Sequence, residues 1–254
     1  MLSVYPEQTL DPADPMVTAT LNGTRAKYQE GIMTYGDGRW LHHYLTETNT
    51  ETEIIRGDQL LALQELYALL LHTSSTHAGF EYCILPWGTR DFAQNLSPHG
   101  WFAAKFRAVL RNMMVREEQD HSLHLLSVVS PEWIKTGETL SVKRAPTNFG
   151  TVNLEMRFSD GGATLRLDDR FRDLPQQLVL HLPWFMSVTA VNADGKKLAV
   201  SNQAVVLPGN TKQVQIAWQK KPDAPTLNYE NALKDYRAEY RRRYEHWIKT
   251  DKMN

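Results

Sequence analysis

The sequence predicts an α+β protein of two domains: a helical-hairpin array, an antiparallel β-sandwich after it, and one amphipathic helix to close the chain. Three observations predict it. Apolar residues recur with a 3.6-residue period from about residue 14 to 118, the period changes to two from about residue 121, and helical spacing returns beyond the last strand. The expected boundaries are 1–120 for the helical part, 121–222 for the sandwich and 223–254 for the final helix and tail.

In the helical part, Asp14 can cap a helix that has Pro15 at its first position and continues through Val17, Leu21 and Tyr28. A second helix is expected from Arg39 to about Arg56, with Trp40, Leu41, Tyr44, Leu45 and Ile55 as apolar contacts and Gly57 as its stop. Asp58 opens a third, DQLLALQELYALLLHT. Its residues Leu60, Leu61, Leu63, Leu66, Leu69, Leu70 and Leu71 lie nearly all round, as in a helix packed between others. A long non-periodic stretch follows. Ser97 and Pro98 then form a cap and first-turn pair for a fourth helix carrying Trp101, Phe102, Phe106, Val109, Leu110 and Met113.

In the strand-rich part, the runs HLLSVV, TLSVKRA, VNLEMRF, ATLRLDD, QLVLHLP, SVTAVN, QAVVLP and KQVQIAW are separated by turn chemistry. Asp160-Gly161-Gly162, Ala193-Asp194-Gly195 and Pro208-Gly209-Asn210 supply it. About eight strands at this spacing read as a β-sandwich. In the last segment Leu233, Tyr236, Tyr240, Tyr244 and Trp247 recur in steps of three and four, which predicts an aromatic stripe docked on the body of the protein. Asp235, Glu239 and Glu245 interleave with Arg241-Arg242-Arg243 and argue against a nucleic-acid helix.

Composition narrows the function classes. With 42% hydrophobic and 22% charged residues the chain can bury a sizeable core, and a formal net charge of −1 gives no general pull toward nucleic acid or membrane. The single cysteine, Cys83, excludes an intrachain disulfide framework and reads as a small buried hydrophobe; as a nucleophile it lacks an orienting base beside it. The N-terminal stretch has no basic and apolar signal pattern, and no run of about 18 apolar residues could span a bilayer, so a soluble chain is expected. No phosphate-cradling loop, dinucleotide fingerprint or nucleophile elbow is present, and no cofactor is expected. Nor is a metal: His42 and His43 are adjacent on a helix, while His121 and His124 fall on opposite faces of a strand.

The order of elements carries a resemblance. Thr76, Gly79, Phe80 and Glu81 form a small-residue, Thr, aromatic, Glu motif in the long loop; SPHGWFAAKF opens the next helix, and SPEWIKTGETLSVKRAPTNFG falls where a sandwich continues. In this the chain resembles the C-terminal part of six-hairpin (α/α)6-toroid glycosidases, the group of glucoamylase-like enzymes and bacterial α-L-rhamnosidases. Phe80 stands where many of them have Trp. The resemblance implies a partial toroid followed by a β-sandwich, hydrolysis of glycosides by acid/base carboxylates, a carbohydrate as partner, and Glu81 as candidate general base. The alternative is a non-catalytic or truncated carbohydrate-binding or structural module. About four helices precede the sandwich where a complete toroid has twelve. The remaining hairpins would lie upstream or be replaced by self-association, and the Leu-rich faces of the helices at 15–28 and 58–73 would be bare.

Glycoside hydrolysis needs two carboxyl groups, about 5–5.5 Å apart for retention and roughly 6.5–9.5 Å for inversion. Glu81 is one; Glu30 and Asp37, in a second Gly-rich loop, and Asp91 are further acids that could line the same cleft. Sugar binding wants flat apolar faces beside polar groups. Tyr35, Trp40, Tyr82, Trp87 and Trp101 offer the faces, and His77 and His99 flank the loop with hydrogen-bonding rings. Each also has an ordinary use: core packing for the aromatics, turn chemistry for Glu30 and Asp37, and a bond to the adjacent Arg90 for Asp91.

Overall fold

The computed structural model describes residues 1–35, 40–81, 84–85, 97–168 and 170–251. The chain forms two compact units, one of Met1–Leu110 with Leu227–Asn254 and one of Arg111–Thr226. The architecture is mixed α+β.

In the first unit, helix α1 (Pro15–Arg25) starts as its sequence predicts, with the Asp14 carboxylate accepting from the Met16 N–H at 2.7 Å. The expected helix from Arg39 is shorter. Trp40–Leu41 form a strand (β2) paired antiparallel with Thr34–Tyr35 (β1), and helix α2 runs from His43 to Arg56. Leu41 exchanges backbone hydrogen bonds with Ile84, and the His42 ring accepts from the Leu45 N–H, so the backbone is extended up to the cap. Apolar β-formers just before a cap read as helix when only their hydrophobicity is counted. Gly57 stops α2 in the left-handed region at φ 80°.

The interior face of α2 is polar. Thr46, Glu47, Thr48, Asn49, Thr50, Glu51, Thr52 and Glu53 are all buried, none more than 6% exposed. Their partners explain how a polar helix survives inside a protein. Asn49 donates to the Tyr28 hydroxyl, Thr50 to Glu65, and Thr52 to the Thr48 carbonyl; Arg25 reaches Glu53. Helix α3 (Gln59–Leu71) packs on α2. Asp58 does not cap it through its side chain but pairs with Arg56 at 2.8 Å. Leu63, Leu66 and Leu69 are buried, and none of the seven leucines named above is exposed, so the expected bare Leu-rich face is absent from α3.

Helix α4 (Gly100–Met114) begins two residues after Pro98 and ends before the predicted limit of 118. His99 takes the capping place expected of Ser97: its Nδ1 accepts from the Phe102 N–H at 3.3 Å. Helix α5 (Tyr229–Thr250), capped by Asn228, contacts α3. It is latched rather than buried. The Tyr236 hydroxyl donates to the Glu30 carbonyl, and Arg243 pairs with the Glu30 carboxylate at 3.1 Å. Gly31 fits this latch because its φ is +74° and an added Cβ would lie 2.8 Å from Ala68 Cβ. The aromatic stripe docks only in part, for Tyr240 stays 43% exposed.

In the second unit, eleven strands follow among the described residues: β3 (Val115–Glu117), β4 (Ser122–Leu125), β5 (Thr139–Thr147), β6 (Gly150–Ser159), β7 (Gly162–Leu167), β8 (Arg170–Phe171), β9 (Gln177–His181), β10 (Met186–Ala193), β11 (Lys196–Leu198), β12 (Ala204–Leu207) and β13 (Gln213–Lys220). One sheet has the order β11-β10-β13-β7-β6-β5 with β8 beside β6, the other β12-β9-β4-β3. Val152, Leu154, Met156 and Phe158 of β6 point inward while Glu155 and Arg157 point out, the period-two alternation that marked this segment. Leu123, Leu125 and Leu180 from one sheet meet Leu154, Leu165, Ile216 and Trp218 from the other in a single core. One pair corrects the antiparallel expectation: β4 and β9 are parallel, because the chain leaves β4, builds β5–β8 in the other sheet and returns beside it.

Candidate functional site

The loop that carries Glu81 is pinned at several points. The Gly79 carbonyl accepts from the His99 N–H at 3.1 Å, the Phe80 N–H donates to His43 Nδ1 at 3.3 Å, and Ile84 pairs with Leu41. Gly79 admits no side chain, since a Cβ there would overlap the Phe102 ring, which stacks on His43 with centroids 4.0 Å apart. His43 is buried, its Nε2 against the Leu69 carbonyl at 2.8 Å, and burial holds its pKa down to about 3. A neutral imidazole donating through Nε2 and accepting at Nδ1 thus fixes the backbone immediately before Glu81. Glu81 itself is half-buried.

The same anchors assemble rings from three segments. Tyr35 lies 5.4 Å from Trp40 and 5.2 Å from His42; Tyr44 lies 5.8 Å from both His99 and Trp101, and His99 is 5.6 Å from Trp101. His42 and Tyr44, at 6.4 Å, join the two groups. The β1–β2 pairing sets Tyr35 opposite Trp40, and the α2 start and the α4 cap bring in the rest. Trp101 is 63% exposed, although its helical spacing also suited a core position. Of the residues singled out in the sequence, Tyr35, Trp40, His99 and Trp101 are brought together. His77 is not among these rings; it sits exposed in the Ser74–Ala78 turn at φ 58°. Trp87, Asp91, Tyr82, Cys83 and Asp37 lie outside the described residues. Glu30 is committed elsewhere, its carboxylate 1% exposed and bonded to His72 Nε2 at 2.9 Å as well as to Arg243.

Beside Tyr44 stands a group that sequence reasoning missed. Lys105 places its Nζ 4.7 Å from the Tyr44 ring centroid and donates to Thr48 Oγ1 at 2.8 Å. Glu47, on α2, has both carboxyl oxygens buried without a hydrogen-bond partner among the described residues. Burial raises its pKa to about 9 against the pull of Lys105, so the group is neutral at pH 7. The repeated Thr/Glu text of α2 was the available signal: a helix with no apolar stripe of its own has to be solvated or internally paired.

Two other polar clusters are built into the units. In the helical unit Arg25 Nη1 meets Glu53 Oε1 and Glu65 Oε1, each at 2.5 Å, and burial pushes both carboxyls up. In the sandwich unit His124 Nδ1 lies 2.8 Å from His181 Nε2 and 3.0 Å from Arg116 Nη2, while Ser122 Oγ lies 2.8 Å from His124 Nε2 and 2.5 Å from Asp120 Oδ1. Because the Arg116 guanidinium can only donate, His124 Nδ1 accepts, His181 Nε2 donates to it, and His124 donates through Nε2 to Ser122. Burial first, then Arg116, depresses these imidazoles to about 2 and about 3. Among the described residues no group of three or more His, Cys, Asp or Glu is placed to hold a metal, and no helix is long and apolar enough to cross a membrane.

No protein-family model matches the sequence, and no curated protein matches it. Among solved structures, the chain is similar to Ara127N-Se, a GH127 β-L-arabinofuranosidase from Geobacillus stearothermophilus T6, at 10% identity and a TM-score of 0.39. The match covers 72% of this chain and 33% of that one, so the chain spans about a third of that enzyme's length.

Proposed function

We propose that the helical unit is a carbohydrate-binding part of a glycosidase-type protein, with Tyr35, Trp40, Tyr44, His99 and Trp101 as the sugar-facing surface and Glu81 as general base. The observation that carries this is the ring array beside the pinned loop. Pyranose C–H faces stack on indole and phenol rings, while His42 and His99 supply hydrogen bonds to hydroxyls. In this reading Glu81 activates water, and a second carboxylic acid protonates the leaving oxygen. The toroid is part of the same proposal, the α2–α3 pair being one of its hairpins.

A second reading, a binding module without catalysis, is favoured by one observation. The acids of α2 are all buried: Glu47 without hydrogen-bond partners, Glu53 on Arg25, and Glu51 only 3% exposed. The two readings separate on Glu81. Hydrolysis of aryl glycosides and oligosaccharides is measured for this chain alone and for a chain extended by upstream hairpins. On the catalytic reading the extended protein turns over and Glu81→Gln lowers kcat by about 10²–10⁴-fold while sugar binding persists. Turnover unchanged by Glu81→Gln removes this residue from the mechanism.

A further inference from the structure

Lys105 stands at the ring array without an ion-pair partner among the described residues. It is half-buried on α4, its Nζ 4.7 Å from the Tyr44 ring centroid and donating to Thr48 Oγ1 at 2.8 Å. Both partners are neutral. Glu47 and Glu51 act on the ammonium from α2, yet neither pairs with it, and Glu47 keeps both oxygens unbonded among the described residues. Other part-buried cations are met by carboxylates: Arg25 by Glu53 and Glu65, Arg116 by Glu118, and Arg243 by Glu30. An ammonium has three donors, and Thr48 takes one. Burial disfavours the charge held there, a cost that an anion beside it would offset.

The position of this charge relative to the rings narrows the anion. Trp101 precedes Lys105 by four residues on α4, and side chains at that spacing share one helix face with Cβ atoms about 5–6 Å apart. Trp101 is exposed, whereas the Tyr44 ring already carries Lys105 against it, so the indole is the open platform. A pyranose laid on that indole carries its exocyclic C6 group about one ring's width away, the span that separates Trp101 from Lys105. A neutral hexose offers a hydroxymethyl group there. A uronic acid offers a carboxylate, whose charge-assisted hydrogen bond with the ammonium is about twice as strong as a neutral one. An amino sugar would bring a second ammonium against the first.

From this juxtaposition we infer that the array selects an acidic sugar, a uronic acid residue stacked on Trp101 with its carboxylate held by Lys105 Nζ. The inference deepens the carbohydrate reading and rests on it. His99, with its ring 5.6 Å from that of Trp101, borders the same sugar and serves its ring hydroxyls.

The test is calorimetric titration of the full chain at low ionic strength with tri-galacturonate and tri-mannuronate, each beside its neutral methyl ester. At least one acid is expected to bind about tenfold more tightly than its ester, a gap that narrows as salt is added. Lys105→Met should bring the acid down to the affinity of the ester while leaving the ester within about twofold of its wild-type value. Lys105→Gln, which keeps a donor for Thr48 without the charge, should do the same if Lys105→Met fails to fold, and Lys105→Arg should retain the preference. Esters that bind as tightly as their acids would overturn this inference and leave the carbohydrate reading standing. A preference for the acid that survives in both Lys105→Met and Lys105→Gln would overturn the assignment to Lys105. No binding of any acid or ester would overturn the inference together with the carbohydrate reading beneath it.

Discussion

Glu53 and Glu65, twelve residues apart on neighbouring helices, each set a carboxylate oxygen 2.5 Å from the same atom, Arg25 Nη1. Three elements meet at one guanidinium, since Arg25 ends α1 while Glu53 and Glu65 belong to α2 and α3. Removing the cation leaves two buried carboxyls facing each other. Arg25→Met should therefore lower stability by about 3–5 kcal/mol. Replacing all three groups together, Arg25→Met with Glu53→Leu and Glu65→Met, should restore most of it, because apolar groups carry no desolvation penalty. Urea denaturation of both variants checks this; a loss below about 1 kcal/mol for Arg25→Met would contradict it.

The two units should respond to pH in opposite directions. In the sandwich, His124 and His181 are depressed from 6.5 to about 2 and about 3. Below pH 6.5 the unfolded chain takes up protons that the folded chain refuses, so stability is full above 6.5 and falls by up to about 1.4 kcal/mol per pH unit for each imidazole. In the helical unit, Glu47 is raised from 4.5 to about 9, so its contribution is complete below 4.5 and is lost as pH climbs toward 9. Glu53 and Glu65 shift the same way, and these three carboxyls outweigh His42 and His43 of the same unit, whose imidazoles are lowered by burial and work against them below pH 6.5. Urea unfolding followed by methyl signals of Leu66 and Leu165 should show the helical unit strengthening and the sandwich weakening between pH 7 and pH 5.

Glu47 itself offers a separate test. A buried carboxyl without hydrogen-bond partners costs folding free energy, on the order of 1–3 kcal/mol. Glu47→Met, of similar volume, should raise the melting temperature at pH 7 and raise it more at pH 9, where the wild-type carboxyl ionises. A fall in melting temperature at both pH values would mean that Glu47 has a stabilising partner.

The latch of α5 depends on Gly31. Gly31→Ala adds a methyl group 2.8 Å from Ala68 Cβ at a φ of +74°, and it crowds the Tyr236 hydroxyl. It should cost about 1–3 kcal/mol and speed hydrogen exchange in α5 before it does so in α3. Uniform acceleration across both helices would contradict a local latch.

Much of the fold was legible because hydrophobic period is a backbone-scale signal. Seven of the eight named runs became strands, HLLSVV contributing only His124 and Leu125 to β4, and α1, α3 and α5 start where their apolar spacing put them. What the period could not show was pairing at a distance. Trp40 and Leu41 became a strand through Thr34, Tyr35 and Ile84, and His124 met His181 across β4 and β9. The polar text of α2 reads as a solvated surface until Arg25, Tyr28, Glu65 and Lys105 arrive from other elements. Among the aromatic residues readable as flat faces, Tyr35 meets the Trp40 ring and His99 meets the Trp101 ring; His42, Tyr44 and Lys105 were not picked out because nothing in their local spacing distinguishes them from helix-packing residues.

Carbohydrate recognition by the ring array is tested most directly by titrating neutral oligosaccharides into the full chain while following tryptophan fluorescence, with Trp101→Ala alongside. Trp101 is 63% exposed, so its removal should leave the thermal transition within about 1 °C of wild type. The account predicts saturable quenching for the wild type and an affinity at least about tenfold weaker for Trp101→Ala, the loss of one stacked ring. Saturable binding of equal affinity in the two proteins, or no binding of any oligosaccharide to the wild type, would contradict it.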